Sequence, residues 1–515
     1  MKYPIGIQTF EDIRRDGFVY VDKTELVYNL SHWSGKYFFL IRPRRFGKSL
    51  LVSTMEAYFL GRKDLFEGLA IATLEKDWLE HPVLRIDFSG KSYTKSDDLE
   101  HYLDKQLSLL EARYSISRKQ DSVDLRFQNV IEGTHAATGR QVVILIDEYD
   151  KPIVDNLTNP ELAEVFQTQL QGFYSVMKSQ DAHIRLGFLT GVTKLGKLSV
   201  FSGLNNLMDI SMNAAFNGIC GITEAELKAT FPDSISEMAS YNDITVEECY
   251  EKLALTYDGY RFHPRAEGVY NPFSLLNALS SKEFGHFWFE TGTPSFLVRM
   301  LRQGNYLLDD ITQDMVPASR LTGSNYEAPD VITLMYQAGY LTIKNFDTRF
   351  SLYTLGYPNL EVENGFLQSL SQFYIPAAEI RSEFSSYRFV KDIESGDTDS
   401  FLHRLESFFA DMDYSLQGNL ELYFQNTMYV LFKLLGQQVQ VERHTSNGRI
   451  DVVVQTPQYV YLIELKRDQS PEAALEQIAQ KGYDKPFLSG GRTIFRIGIN
   501  FCSETRRIAG WKVVE

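Results

Sequence analysis

Cysteine is scarce. Three occur in 515 residues, Cys220, Cys249 and Cys502, and no two of them form a C-x-x-C pair. That spacing excludes a disulfide framework and a thiolate zinc site. Long apolar runs are missing too. Stretches such as residues 142–146 are among the longest, far below the roughly 20 residues a bilayer-spanning helix requires, so no membrane segment is expected. The opening MKYPIGIQTFEDIRRDGF places acids and arginines where a signal peptide keeps its apolar stretch, and the chain reads as cytoplasmic. There is no low-complexity tract and no repeat of the length that builds solenoids or propellers. Neither G-x-S-x-G nor H-E-x-x-H occurs, which removes the serine-hydrolase elbow and the zincin helix. His263 and His286 stand alone among aromatics and read as packed side chains, and His444 reads as a surface residue.

Positive charge is in deficit. There are 52 Lys and Arg against 67 Asp and Glu, a net −15, unlike a protein that coats nucleic acid through bulk charge. The imbalance is uneven, because residues 436–515 hold eleven Lys and Arg against nine Asp and Glu. If a polyanion binds anywhere by charge, that end is favoured.

What is present is a foldable composition, 44% hydrophobic and 23% charged, at a length that calls for two or three folding units. An apolar run, residues 37–41, leads into Arg42-Pro43-Arg44-Arg45-Phe46-Gly47-Lys48-Ser49 and then into helical spacing over residues 50–60. Further buried strands are expected at 83–88, 142–146 and 184–189, with helical stretches between them. This alternation implies a parallel sheet covered on both faces. A helical, aromatic-rich region follows over 222–345, a turn-rich connecting segment over 346–394, and a small α/β unit over 395–515, leaving 1–221 as the first α/β core.

Gly47-Lys48-Ser49 between a strand and a helix supplies what a phosphate loop needs: converging backbone N–H groups, a Lys for the β/γ-phosphates and a hydroxyl for Mg²⁺. Arg42 stands where the full G-x-x-x-x-G-K-S/T pattern has glycine. The strand at 142–146 ends in Asp147-Glu148. At the C-terminal edge of a parallel sheet, Asp147 would face the Mg²⁺ shell and Glu148 would orient the attacking water. Thr190, at the end of the next strand, is a candidate for the γ-phosphate or the lytic water, as is Thr193. Arg42, Arg44 and Arg45 are candidates for charge neutralisation, or for pairing with carboxylates elsewhere.

The second constellation is Gly448-Arg449-Ile450-Asp451-Val452-Val453-Val454, then a Pro-containing turn, then Tyr459-Val460-Tyr461-Leu462-Ile463-Glu464-Leu465-Lys466. Two β-rich runs around a turn predict an antiparallel hairpin. With Pro457 and Gln458 at its tip, Asp451 lies opposite Glu464, at a cross-strand Cβ separation of about 4.5–5.5 Å. The two carboxylates can then share a divalent ion, with the Leu465 carbonyl as a further ligand. Lys466 points to the same face as Glu464, where a cation can position or activate a metal-bound water. A slip of one residue would separate the acids.

Both constellations carry family resemblances. Tyr20-Val21-Asp22-Lys23-Thr24, the arginine-rich loop 42–49, Leu145-Ile146-Asp147-Glu148-Tyr149-Asp150, Tyr257-Asp258-Gly259-Tyr260-Arg261-Phe262 and Tyr270-Asn271-Pro272-Phe273-Ser274 resemble the bacterial AAA-ATPase-like family over about residues 1–345. In that family the arginine-rich loop is the usual form of the phosphate motif. The resemblance implies a P-loop NTPase sheet with a helical lid, and ATP with Mg²⁺ held by Arg44, Arg45, Phe46, Gly47, Lys48, Ser49, Asp147 and Thr190, with Glu148 catalytic. Asp451, a gap of twelve, and Glu464-x-Lys466 resemble the PD-(D/E)xK nuclease superfamily over about residues 395–515. That resemblance implies a restriction-endonuclease-like α/β domain with Asp451, Glu464 and Lys466 catalytic. It also implies Mg²⁺ or Mn²⁺ at Asp451, Glu464 and Leu465, and accessory roles for Glu421 and Gln477. The expectation is an ATPase fused to a metal-dependent nuclease acting on nucleic acid, DNA in the first instance, with a homo-oligomer allowed by the AAA-like part. The alternative is a nucleotide-controlled switch whose C-terminal domain binds nucleic acid or protein without cutting.

Overall fold

The structure is a computed structural model and describes residues 1–195, 197–289, 295–304, 306–312, 315–323, 330–374, 383–410, 420–445, 448–505 and 507–515. The chain folds into two compact units that are not contiguous in sequence. The first comprises Met1–Thr291 and Met315–Val362, the second Gly292–Asp314 and Glu363–Glu515. No helix among the described residues is long and apolar enough to cross a membrane.

The first unit is built on a five-stranded parallel sheet of β1 (Tyr37–Ile41), β2 (Val83–Asp87), β3 (Val142–Asp147), β4 (Ile184–Gly191) and β5 (Leu207–Asp209), in the order β2-β3-β4-β1-β5. Every residue of β1 and β3 is buried. This is why those runs are continuously apolar instead of alternating. The helix Lys48–Phe59 leaves β1 through a loop that ends at Gly47, whose φ of 94° is costly for any residue with a Cβ.

Beyond the sheet, the helices Glu224–Thr230, Pro232–Tyr241, Val246–Tyr257 and Pro272–Ser281 pack around Leu227, Phe231, Ile235 and Leu253. Tyr3, Ile5, Val19 and Val21 of the N-terminal segment lie against the same core. A three-stranded antiparallel sheet, β6 (Met315–Pro317), β7 (Thr342–Asp347) and β8 (Leu352–Gly356), in the order β6-β8-β7, completes the unit.

The second unit carries a mixed sheet ordered β13-β12-β11-β10-β9, with β9 at Gln438–Thr445, β10 at Gly448–Gln455, β11 at Tyr459–Arg467, β12 at Thr493–Cys502 and β13 at Arg507–Val514. Strands β10 and β11 form the expected hairpin: Val452 pairs with Ile463 and Gln455 with Val460. Thr456 N–H donates to the Tyr459 carbonyl at 2.9 Å, leaving Pro457 and Gln458 as the tip. Strands β11 and β12 run parallel, joined through the helix Pro471–Lys481, whose first turn is capped by Ser470. That helix comes so close to β12 that a Cβ at Gly498 would lie 2.2 Å from the Pro471 carbonyl oxygen.

Candidate active sites

The loop after β1 turns its backbone toward a cleft of about 380 Å³ lined by Arg44, Arg45, Gly47, Lys48, Ser49 and Glu148. Lys48 is buried, and its Nζ donates to the carbonyls of Arg42 (2.9 Å) and Pro43 (3.0 Å). Burial lowers its pKa, while the nearby Glu148 and Asp147 pull the other way. Asp147 ends β3 fully buried. Its Oδ1 accepts the Thr190 hydroxyl at 2.5 Å, and its Oδ2 has no hydrogen-bond partner among the described residues. A buried carboxylate oxygen left bare is costly unless a cation or donor faces it, so the residues present fit a divalent ion. Glu148 follows with a left-handed φ of 51° and is held above the ordinary carboxylate range by burial, with Lys48 opposing.

The structure sorts the remaining candidates by geometry. Thr190, on β4 between β1 and β3, touches Asp147 through its hydroxyl. Thr193 turns away, its N–H and hydroxyl donating to the buried Asp150 carboxylate at 2.7 and 2.8 Å. Arg44 and Arg45 are exposed. The Arg45 guanidinium lies 4.8 Å from the Phe273 ring centroid, and the Arg44 carbonyl accepts the Trp288 indole N–H at 2.9 Å.

Arg42 departs from the charge-neutralising role considered for it. It is 1% exposed, donates to the carbonyls of Ile41, Ser211, Phe216 and Asn217, and stacks 3.8 Å above Phe262. Burial brings its pKa down to about 10. It ties the loop's entry to the chain around 211–217, the restraint available at a position where the full pattern has glycine. Arg42→Ala strips these carbonyls of their shared donor. The expected cost is about 3 kcal/mol or more, read as a lowered midpoint of the first unit's thermal transition.

Asp22, Lys23, Tyr260, Phe262 and Asn271 hold the surroundings of the loop together. Asp22 accepts the Thr24 N–H and hydroxyl and the Ala70 N–H. Lys23 pairs with Glu226 at 2.6 Å, and Glu226 belongs to the capping box that starts the helix Glu224–Thr230. Tyr260 and Phe262 place their rings against Phe46 at 4.9 and 5.5 Å. Asn271 caps the helix that carries Phe273. A mainly apolar pocket bounded by Val19, Val21, Phe46, Cys220, Ile222 and Phe231 adjoins the cleft after β1 through Phe46 and Gly47.

In the second unit, the β10–β11 register extended by one residue sets Asp451 across from Glu464. Glu464 is 1% exposed. Its Oε1 accepts from Lys466 Nζ at 3.2 Å and from Gln477 Nε2, and its Oε2 is buried with no partner among the described residues. Asp451 Oδ2 accepts the Leu465 N–H at 2.7 Å. Burial and the neighbouring Glu464 push Asp451 up to about 8, and burial raises Glu464 as well.

Sequence reasoning missed Glu442. Ile450 pairs with Arg443 and Val452 with Val441, so Glu442 lies across from Asp451 on the opposite flank from Glu464. Single oxygens of Glu421, Glu442 and Asp451 lie within 4.8 Å of one another, near enough to share an ion. Gln425, one turn after Glu421 on the helix Leu420–Leu434, donates to Glu442 Oε1 at 2.6 Å. The clue available beforehand was a second β-run, residues 438–445, placing its acid in the same row.

Comparison with known proteins agrees with both halves. A family model described as "Predicted AAA-ATPase" matches residues 4–201, and one described as "PD-(D/E)XK nuclease superfamily" matches residues 419–511. A protein described as "Uncharacterized protein in vnfD 5'region", from Azotobacter chroococcum mcd 1, is 38% identical over 527 aligned residues, spanning 99% of this chain and 98% of that one.

Proposed function

Because the chain belongs to the predicted AAA-ATPase family and carries a PD-(D/E)XK nuclease-superfamily domain, we propose that it binds and hydrolyses ATP with Mg²⁺ in its first unit and cuts nucleic acid, DNA foremost, in its second, working in the cytoplasm. One observation carries this reading. In each unit a buried carboxylate, Asp147 or Glu464, leaves one oxygen unpartnered at the position the motif reserves for a metal-facing acid.

In the first unit, Lys48 and the backbone N–H groups of the loop receive the phosphates, Arg44 and Arg45 offset their charge, and Ser49 with Asp147 holds Mg²⁺. Thr190 keeps Asp147 turned to the cleft. Glu148, which burial holds above the ordinary carboxylate range against the pull of Lys48, orients the water. The apolar pocket beside Phe46 takes the base. In the second unit, Asp451 and Glu464, with the Leu465 carbonyl and the neighbouring Glu421 and Glu442, hold Mg²⁺ or Mn²⁺. Such an ion supplies Lewis acidity and a more acidic bound water. Lys466 and Gln477 fix the Glu464 carboxylate, and Lys466 is placed to orient the attacking water.

The test uses the purified full chain on plasmid and single-stranded DNA over a range of Mg²⁺ and Mn²⁺ concentrations, with ATP turnover followed in parallel. Cleavage by the wild type that is lost in Glu464→Ala and Lys466→Ala supports the nuclease half. A wild type that never cuts, yet turns over ATP, overturns that half and leaves a nucleotide-controlled binding module.

A further inference from the structure

Arg449 lies two residues before Asp451 on β10, so the two side chains project from the same face of the sheet. It is 59% exposed, and its Nη1 is 3.3 Å from Glu442 Oε2. The other Glu442 oxygen is held by Gln425. The oxygen Arg449 neutralises therefore belongs to the same carboxylate that completes the Glu421–Glu442–Asp451 group. A guanidinium and a divalent cation repel across a few ångströms, and an ion pair whose guanidinium stands in solvent while its carboxylate is half-buried is worth about 1 kcal/mol. A divalent ion drawn to these acids thus meets a solvent-exposed cationic competitor at the rim.

We propose that Arg449 is a placeholder cation and a substrate-positioning residue. It sits on Glu442 until a divalent ion takes that carboxylate, and then swings to a phosphate of the bound strand. Arg suits both partners, because its planar fork matches carboxylate and phosphate alike. Metal and nucleic acid then bind with positive coupling, since the ion frees a phosphate ligand that the metal-free protein keeps occupied. Arg449 is a positioning residue, and the proposal rests on the nuclease reading of the same site.

The experiment uses the full chain without nucleotide, in wild-type and Arg449→Ala form. Mn²⁺ binding is followed by calorimetry, and binding to a fluorescent single-stranded DNA is followed over a salt series, with and without Ca²⁺ as a divalent ion that limits cutting. Both proteins carry Asp147→Asn, so that the first unit's acid does not contribute to the metal signal. The variant is expected to bind Mn²⁺ about threefold more tightly, having lost the competitor. With Ca²⁺ it is expected to bind DNA more weakly, with a log–log salt slope reduced by about one. Without a divalent ion, its DNA affinity and slope should match the parent's. A slope reduced equally with and without Ca²⁺ overturns the exchange and makes Arg449 a fixed phosphate contact. A slope unchanged under both conditions, or unchanged or weaker Mn²⁺ binding, overturns it too and makes the pair a surface ornament. If the parent binds no Mn²⁺ at all, the reading of the site itself has failed.

Discussion

Glu464→Gln should lower DNA cleavage by on the order of 10³-fold or more and, in metal-free protein, raise the melting temperature of the second unit. The two effects share a cause. Glu464 is almost fully buried, with one oxygen bare, and it stands beside Asp451, another buried acid. Both carboxyls are held above their ordinary range, so the native state keeps protons that the unfolded chain has already released. Stability of the metal-free protein must then fall as pH rises, from about 4 toward the value of about 8 reached by Asp451.

Glutamine removes one of the two competing charges, keeps an acceptor for Lys466 and Gln477, and sets an amide donor where the bare oxygen was. A gain on the order of 1–3 kcal/mol at pH 8 is expected, shrinking toward pH 5. Added Mn²⁺ should stabilise the wild type and leave the variant nearly unmoved. Calorimetric scans at the two pH values, with and without Mn²⁺, check this. A variant that melts below the wild type at pH 8 would show that Glu464 is a structural partner and no poised ligand.

Lys48→Ala should reduce ATP turnover about 10²–10³-fold and remove the thermal stabilisation that ATP with Mg²⁺ gives the first unit. The side chain is buried, and burial disfavours its charge. It is held by two carbonyls of its own loop and by the field of Glu148 and Asp147. Such a buried cation is a standing cost, returned when phosphates reach it. Thermal shift against ATP concentration separates binding from turnover. A variant that hydrolyses ATP at the wild-type rate would place the nucleotide elsewhere.

Much of the local geometry at the two candidate sites was legible because it is set by residues close in sequence. The phosphate loop, the Asp147–Glu148 strand end and the β10–β11 hairpin each lie within a short stretch whose apolar period or turn residues decide the conformation. The hairpin register followed from its tip, even though proline is not a favoured hairpin residue. What stayed hidden depends on distant pairing. Arg42 finds carbonyl partners 169 to 175 residues away, so its charge alone reads equally as a phosphate ligand. Glu442 acquires meaning only once β9 is laid against β10. The short β5 (Leu207–Asp209), three residues long, has too little sequence to show a period at all.

The path of the chain between the units has a practical consequence. Gly292–Asp314 joins the second unit before Met315–Val362 returns to the first. The polypeptide therefore changes unit three times, and no single scission yields two whole pieces. A nuclease half expressed from residue 363 onward would lack a stretch in which the Asp309 carboxylate accepts the Val441 N–H and the Leu308 N–H donates to Asn426. Loss of cutting in such a fragment would report a missing wall, and genetic dissection of the two proposed activities is better done by point substitution than by truncation.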